Sequence, residues 1–293
     1  MSELLESISA LRQWRQQPGT VALVPTMGAL HEGHLSLVRQ AGELAERVVV
    51  SIFVNPTQFG PNEDYARYPR TLSADLEALA DLSVDAVFVP SADEMYPDPP
   101  ARVSLRVGDL GSILEGASRP GHFDGVCQVV AKLFNLVQPQ VAVFGEKDAQ
   151  QLAVIRQLVR DLNFPVEIVG APIVRESDGL ARSSRNAYLS TEERLAAPVL
   201  FRSLEQGIAA GSANGQVDPP AAVNQVMQTL VSEPLVEPEY AAVVNRDSFE
   251  LVALATVGNV EYFNPPKGDL TLLVAARLGN TRLIDNRHWK VEQ

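Results

Sequence analysis

Short apolar runs punctuate the first half of the chain at residues 21–24, 48–54, 86–89, 141–144 and 166–169. Each is rich in β-branched or aromatic residues and lacks apolar–polar alternation, which predicts strands buried on both faces. Helical periodicity fills most of the gaps. Val126, Val129, Val130, Leu133, Phe134 and Val137 recur at the i, i+3, i+4 spacing of one helix face, as do Leu72, Leu76, Leu79 and Ala80. Leu152, Ile155, Val159 and Leu162 form another stripe, with Asp148 placed to cap it. Residues 1–17 read as an amphipathic helix with Leu4, Ile8 and Leu11 on one face. Strands alternating with helices predict an α/β fold: a Rossmann-like, doubly wound parallel sheet that binds ligands beyond its carboxyl edge.

The pattern changes after about Val174. Thr191 onward looks helical, and Val223, Val226, Met227 and Leu230 mark a helix opened by Pro219 and Pro220. Residues 210–220 between them form a loop of Gly, Ser, Asn and Pro. Strand-like runs at 240–244, 270–276 and 282–284 follow with few helices between. The expectation is two domains: residues 1–174 Rossmann-like, and residues 175–293 a smaller α+β domain. No internal repeat is visible.

Composition narrows the function. Of 293 residues, 46% are hydrophobic and 20% charged, as in an ordinary globular protein with ample core. Net charge is −12, from 24 Lys and Arg against 36 Asp and Glu. That balance argues against a nucleic-acid or anionic-membrane surface, yet leaves room for a small phosphate ligand held by a few local cations. Cys127 is the one cysteine, so no internal disulfide can form and a reducing compartment fits. Its place on an apolar helical stripe predicts a core residue. No run approaches the roughly 20 apolar residues of a membrane helix, and no basic segment followed by an apolar block opens the chain. A cytoplasmic enzyme is expected.

Four segments carry candidate chemistry. Thr26-Met27-Gly28-Ala29-Leu30-His31-Glu32-Gly33-His34 joins a predicted strand to a helix start, where exposed backbone N–H groups suit an anion. His31 and His34 share a helix face at this spacing. They fit a metal pair, polar residues at a helix start, or hydrogen-bond donors to nucleotide phosphates. The segment is not His-Glu-x-x-His and no third ligand is evident nearby, which favours the donors. Gly145-Glu146-Lys147-Asp148-Ala149-Gln150-Gln151 follows another strand: Gly145 allows a tight turn, Lys147 is a mobile charge, and Asp148 can cap or meet a ribose. Arg182-Ser183-Ser184-Arg185-Asn186 sets hydroxyls beside guanidinium groups as a phosphate clamp. Asn55-Pro56-Thr57-Gln58-Phe59 offers neutral amides for a small polar organic substrate, with Gln151 facing Gln58. No Walker loop is present.

Taken in this order, His-x-Gly-His, Asn-Pro-x-Gln-Phe, Gly-Glu-Lys-Asp-x-Gln-Gln and Ser-Ser-Arg-Asn resemble the pantothenate synthetase (pantoate–β-alanine ligase) family. That family belongs to the nucleotidyltransferase superfamily, which also holds the class I aminoacyl-tRNA synthetases. The likeness is dense over residues 21–190 and weaker beyond. It implies ATP-dependent condensation of pantoate with β-alanine through an enzyme-bound pantoyl adenylate. Position by position it implies that Thr26, Met27, Gly28, His31 and His34 border ATP, with His34 the chief catalytic donor and His31 its companion. Gly145, Glu146, Lys147, Asp148 and the backbone of Val174 also bind ATP, Lys147 at the phosphates. Ser183, Ser184 and Arg185 stand where the tRNA synthetases carry a lysine-rich loop. Gln58 and Gln151 hold pantoate, with Asn55 beside them. Arg119 helps to neutralise phosphates, and Asp75 is a ligand for Mg²⁺. His122, in Arg119-Pro-Gly-His122, is open between structural and functional roles. Arg182 departs from a position usually apolar in the family, so it stacks on adenine, reaches a phosphate or points to solvent. The resemblance further implies a homodimer. The small C-terminal domain, joined beside the loop at residues 183–185, is expected to close as a lid that keeps water from the adenylate.

Other readings lead to different experiments. An adenylyltransferase would join AMP to a phosphate acceptor and make no amide. A nucleotide-sensing module would bind ATP without forming AMP. A tRNA-charging enzyme is disfavoured by the negative charge and by the lack of an evident anticodon-binding module.

Overall fold

Six parallel strands order the first half of the chain: β1 (Glu3–Leu5), β2 (Val21–Thr26), β3 (Arg47–Ile52), β4 (Ala86–Phe88), β5 (Val141–Gly145) and β6 (Glu167–Ala171). They lie in the order β1-β4-β3-β2-β5-β6. Between and beside them run α1 (Ile8–Arg15), α2 (Glu32–Leu44), α3 (Leu72–Leu79), α4 (Ala92–Met95), α5 (Glu115–Ser118), α6 (His122–Val137) and α7 (Ala149–Leu162). The computed structural model describes residues 2–61, 63–213 and 216–291. Two compact units emerge, Met1–Glu146 with Gln150–Pro172, and Lys147–Ala149 with Ile173–Gln293.

The continuous apolar character of the strands has a direct cause. Val21 and Leu23 of β2 face one core, with Leu11 and Trp14 of α1 and with Val126, Val130 and Phe134 of α6. Ala22 and Val24, between them, face a second core with Leu37, Val38 and Ala41 of α2 and Leu79 of α3. Side chains alternate across the pleat, so both sets must be apolar when helices cover both faces. The chain winds outward from β2 through β3 to β4, then crosses to β5 and β6. The reversal lies between β2 and β5, the crevice where such sheets bind ligands.

The amino-terminal helix is shorter than expected. Residues 3–5 form edge strand β1 beside β4, with Leu5 opposite Phe88 and only 2% exposed. Ser7 then caps α1, its Oγ accepting from Ala10 N at 3.2 Å, which fixes the helix start downstream of the strand. Met1 lies outside the described residues.

The second unit contains α8 (Thr191–Ala196), α9 (Val199–Gly211), α10 (Pro219–Val231), β7 (Val236–Asn245), β8 (Leu251–Thr256), β9 (Asn259–Tyr262), β10 (Leu270–Leu278) and β11 (Thr281–Trp289). Its antiparallel sheet runs β11-β10-β7-β8-β9. Leu200 and Leu204 of α9 and Val226 and Leu230 of α10 pack with Val243, Leu272 and Val274 of the sheet. β8 and β9 lie in a stretch where no strand was expected, and every residue of β9 is exposed at the sheet edge. The loop expected at 210–220 is flanked by helix on both sides. Asp218 Oδ1 caps α10 by accepting from Ala221 N at 3.0 Å, while Asn214 and Gly215 lie outside the described residues.

Cys127 is buried on α6, and burial pushes its thiol up to about 12, so it is no nucleophile near neutral pH. Gly125, on the same helix, is where the backbone of the Asn55–Gln58 turn comes closest: a Cβ there would sit 2.3 Å from Thr57 O. Gly125→Ala is therefore expected to lower stability by about 1–3 kcal/mol, read as a lower urea midpoint. An unchanged midpoint would mean that α6 does not fix the turn.

Candidate active site

The turn after β2 is built around a buried carboxylate. Thr26 Oγ1 donates to Ser51 O at 2.8 Å and accepts from Gly28 N at 3.2 Å, pinning the strand end. Gly28 then takes φ +82°, where a Cβ would stand 2.9 Å from Asp75 Oδ2. Both the dihedral and the space demand glycine. Ala29 follows at φ +50°. Asp75 accepts from Ala29 N at 3.0 Å, Leu30 N at 2.8 Å and Thr71 Oγ1 at 3.2 Å, and is 2% exposed. This corrects the assignment of Asp75 to a metal. Its oxygens brace the turn, and no group of three or more His, Cys, Asp or Glu able to hold a metal exists among the described residues.

From that turn α2 begins with a reciprocal histidine cap. His31 Nδ1 accepts from Gly33 N at 3.2 Å, and His34 Nδ1 accepts from His31 N at 3.3 Å. The rings lie with centroids 4.1 Å apart. An acceptor nitrogen carries no proton, so both rings are neutral with the proton on Nε2. Two of the orphan N–H groups of the helix start are thereby satisfied, and each ring carries its one N–H donor on the nitrogen opposite the cap.

The two amides of the turn after β3 are buried and bonded to each other. Asn55 is 1% exposed. Its Oδ1 accepts from Thr57 N, Thr57 Oγ1 and Tyr96 OH at 3.3, 2.9 and 3.0 Å. Its Nδ2 donates to Gly125 O at 3.1 Å and to Gln58 Oε1 at 3.0 Å. Its hydrogen-bonding groups are occupied within the protein, so Asn55 shapes the turn, contrary to its expected contact with substrate. Burial pushes the Tyr96 phenol up, keeping it a donor to Asn55. Gln58 Nε2 donates to Met27 Sδ at 3.3 Å, tying this turn to the one after β2.

Arg119 is also corrected. Its guanidinium forms a fork with Glu63, Nε to Oε1 at 2.9 Å and NH2 to Oε2 at 2.5 Å. Its NH1 donates to His122 Nε2 at 3.0 Å. A guanidinium only donates, so His122 Nδ1 carries the proton and donates to Gln58 O at 2.8 Å. His122 is thus a support for Gln58, and Arg119 is already neutralised by a carboxylate. Sequence reasoning had no signal for Glu63, 56 residues from its partner.

At the end of β5, Gly145 lacks a positive φ, and a Cβ there would meet nothing within 4 Å. A tight turn does not require it; the space beside it is open. Glu146–Asp148 forms a 3₁₀ turn. The expected cap from Asp148 to α7 is not among the hydrogen bonds of the described residues; Asp148 is half exposed, 3.9 Å from Lys147 Nζ. In the adjacent glutamines the roles separate. Gln150 is buried, donating to Leu110 O and Ile113 O and accepting from Glu115 N. Gln151 is half buried and its side chain has no hydrogen-bond partner among the described residues.

The remaining candidates lie in the second unit. Arg182 N donates to Val174 O at 2.9 Å across a hairpin, and the Arg182 guanidinium pairs with Glu176 at 2.9 Å. That pair uses only NH2; Arg182 Nε is buried without a hydrogen-bond partner among the described residues, and the three roles for Arg182 stay open. Ser183 Oγ accepts from Arg185 N at 3.3 Å and caps the Ser184–Tyr188 turn. Lys147 O accepts from Asn286 Nδ2 at 2.9 Å. Thr26, Met27, Gly28, His31, His34, Asp75, Asn55, Gln58 and Arg119 therefore belong to one unit, and Lys147, Asp148, Val174, Arg182, Ser183, Ser184 and Arg185 to the other.

A family model described as pantoate-beta-alanine ligase matches residues 2–288. The chain belongs to the pantoate–β-alanine ligase family. A pantothenate synthetase from Thermobifida fusca is 52% identical over 96% of this chain and 92% of its own length. The crystal structure of the ligase from Thermus thermophilus superposes with TM-score 0.89 at 45% identity, covering 99% of this chain and all of that one. A Francisella tularensis ligase, solved in complex with β-γ ATP and β-alanine, gives 0.78 at 33% identity over 98% of this chain and 97% of its own. The fold of this ligase is thus a parallel six-stranded sheet with helices on both faces, plus an antiparallel C-terminal sheet. Its activity is ATP-dependent condensation of pantoate with β-alanine, a carbon–nitrogen ligation. Of the described helices, none is long and apolar enough to cross a membrane.

The histidine tautomers can be read directly. Long-range ¹H–¹⁵N correlation spectra near neutral pH are expected to give the Nε2-protonated pattern for His31 and His34 and the Nδ1-protonated pattern for His122. A Nδ1-protonated ring at position 31 or 34 would contradict the reciprocal cap.

Proposed function

We propose that this ligase works in two steps at the carboxyl edge of the parallel sheet. First, a pantoate carboxylate oxygen attacks the α-phosphorus of ATP; the bond to the bridging oxygen breaks and pyrophosphate leaves with its electrons. Pantoyl adenylate remains. The β-alanine amine then attacks the acyl carbon, the carbon–oxygen bond to AMP breaks, and the amine proton passes to solvent. Adenylation supplies the leaving group that a carboxylate lacks. No protein nucleophile is needed, so the chain's work is alignment and charge stabilisation.

The observation that carries this reading is the reciprocal cap, which makes His31 and His34 uncharged Nε2–H donors at a helix start beside the β2–β5 crevice. In this reading they donate to ATP phosphates, with His34 the principal donor. Lys147 and Arg185 supply positive charge, and Thr26, Met27, Gly28, Gly145, Glu146, Asp148, Val174, Ser183 and Ser184 line the nucleotide. Gln58 and Gln151 hold pantoate; the Gln151 amide, without a hydrogen-bond partner among the described residues, supports that role. Asn55 and Arg119 act through Gln58. Magnesium enters with ATP: Mg²⁺ keeps several waters and binds chiefly through substrate phosphates, and the described residues offer no resident cage.

His34→Ala is expected to slow pantoate-dependent ATP–pyrophosphate exchange by about 10²–10³-fold, the scale of losing one preorganised donor. Normal exchange in that variant would reject the assignment. Mass spectrometry after incubation with ATP, Mg²⁺, pantoate and β-alanine should give pantothenate and AMP, with AMP release dependent on the amine. Adenylyl transfer to a phosphate acceptor would instead leave β-alanine untouched.

The second unit, carrying Lys147 and residues 183–185, is the natural lid against hydrolysis of the adenylate. Small-angle scattering with ATP and pantoate together should show a smaller radius of gyration than the free enzyme; identical curves would count against closure. A cytoplasmic homodimer completes the reading, supported by the chain's single cysteine and by the family.

A further inference from the structure

The C-terminal strand β11 meets both cation-bearing segments of the second unit. Asn286, on β11, is 5% exposed, and its Nδ2 donates to Lys147 O at 2.9 Å. The same strand packs against the Ser184–Tyr188 turn that carries Arg185. Behind Asn286 lies a buried fork: Arg175 NH1 donates to Asp285 Oδ2 at 2.7 Å and NH2 to Oδ1 at 3.0 Å. NH2 also donates to Asn286 O at 3.1 Å, and Asn286 N donates to Asp285 Oδ1 at 2.7 Å. Arg175 stacks over Phe201, 4.1 Å from the ring centre, which leaves the fork little freedom. Residues Lys147–Ala149 accordingly cluster with this unit, apart from the strand and helix that flank them in sequence.

We propose that Asn286 is a positioning residue for nucleotide binding. It anchors the main chain of Lys147 to β11, with Arg175 and Asp285 fixing the anchor, so that Lys147 and Arg185 are presented to the phosphates of ATP as one rigid pair. The function of this device is orientation. An ammonium on a four-carbon stem loses much freedom on binding, and a fixed main chain confines the region it searches. Burial raises Asp285, while Arg175, Asn286 N–H and the Lys147 charge oppose that rise. The inference rests on the reading that Lys147 meets ATP phosphates.

The test is a double-mutant cycle read by pantoate-dependent ATP–pyrophosphate exchange, with Asn286→Ala, Lys147→Ala and the double variant. Asn286→Ala should raise the KM for ATP with a fall in kcat/KM of about tenfold, the scale of one hydrogen bond to a placed group, and leave the KM for pantoate unchanged. In the Lys147→Ala background the same change should do little more, because its target is gone. Asn286→Gln, which keeps a donor, should recover part of the loss and serves in place of the alanine variant if that one does not fold. Fully additive losses would overturn the proposal, since Asn286 would then act on something other than Lys147. Normal exchange in Asn286→Ala with impaired exchange in Lys147→Ala would overturn it too, leaving the role of Lys147 standing. Full exchange in Lys147→Ala would instead remove the reading on which the proposal rests.

Discussion

Asp75 is a carboxylate with 2% of its surface exposed, and a charge so deeply placed survives only if its oxygens find donors. The donors are the main-chain N–H groups of Ala29 and Leu30 and the hydroxyl of Thr71. This exchange of obligations shapes the first unit. Without the carboxylate, two amides in a tight turn would be buried unpaired; without the turn, the charge would be stranded. The positive φ angles of Gly28 and Ala29 are held by it, and the entry of α2 follows from them. The two imidazoles then cap the helix, each accepting a main-chain N–H of the same short segment. The geometry of the two imidazoles therefore begins with a side chain outside the helix they cap.

The sheet was legible because its cause is local. Residues 21–24 and 141–144 are apolar at every position since helices cover both faces, and that pattern needs no knowledge of partners. β1 was hidden because Leu4 and Leu5 also fit a helix face, and only pairing with β4 distinguishes the two. β8 and β9 sit in an irregular stretch whose last strand is wholly exposed, so burial left no period to detect. The motif residues stood out in the chain, yet their roles did not. Asn55 and Gln58 look equivalent in sequence; contact with Gly125 O and Tyr96 OH makes one a support. Gln150 and Gln151 are identical neighbours, and only the carbonyls of Leu110 and Ile113 tell them apart. Arg119 looked available for phosphate until Glu63 was beside it. Such assignments depend on partners tens of residues away, which leave no periodic trace.

Neutrality recurs among the histidines of the first unit, achieved in two opposite ways. His31 and His34 accept backbone N–H at Nδ1, whereas His122 accepts a guanidinium at Nε2. In the proposed function, neutral donors suit the binding of a highly charged nucleotide without holding its products too tightly, since attraction to charge persists after the α-phosphorus has reacted. Lys147 and Arg185 belong to the other unit.

The hydrogen bond from Asn286 to Lys147 spans 139 residues of sequence. Ribosomes make proteins from the amino end, so the lysine emerges long before the asparagine that steadies it. The parallel sheet, with all six strands complete by Ala171, can assemble while the final strand is still untranslated. The larger unit of a nascent chain can therefore form before the main chain of Lys147 is anchored, which needs β11 to have been made.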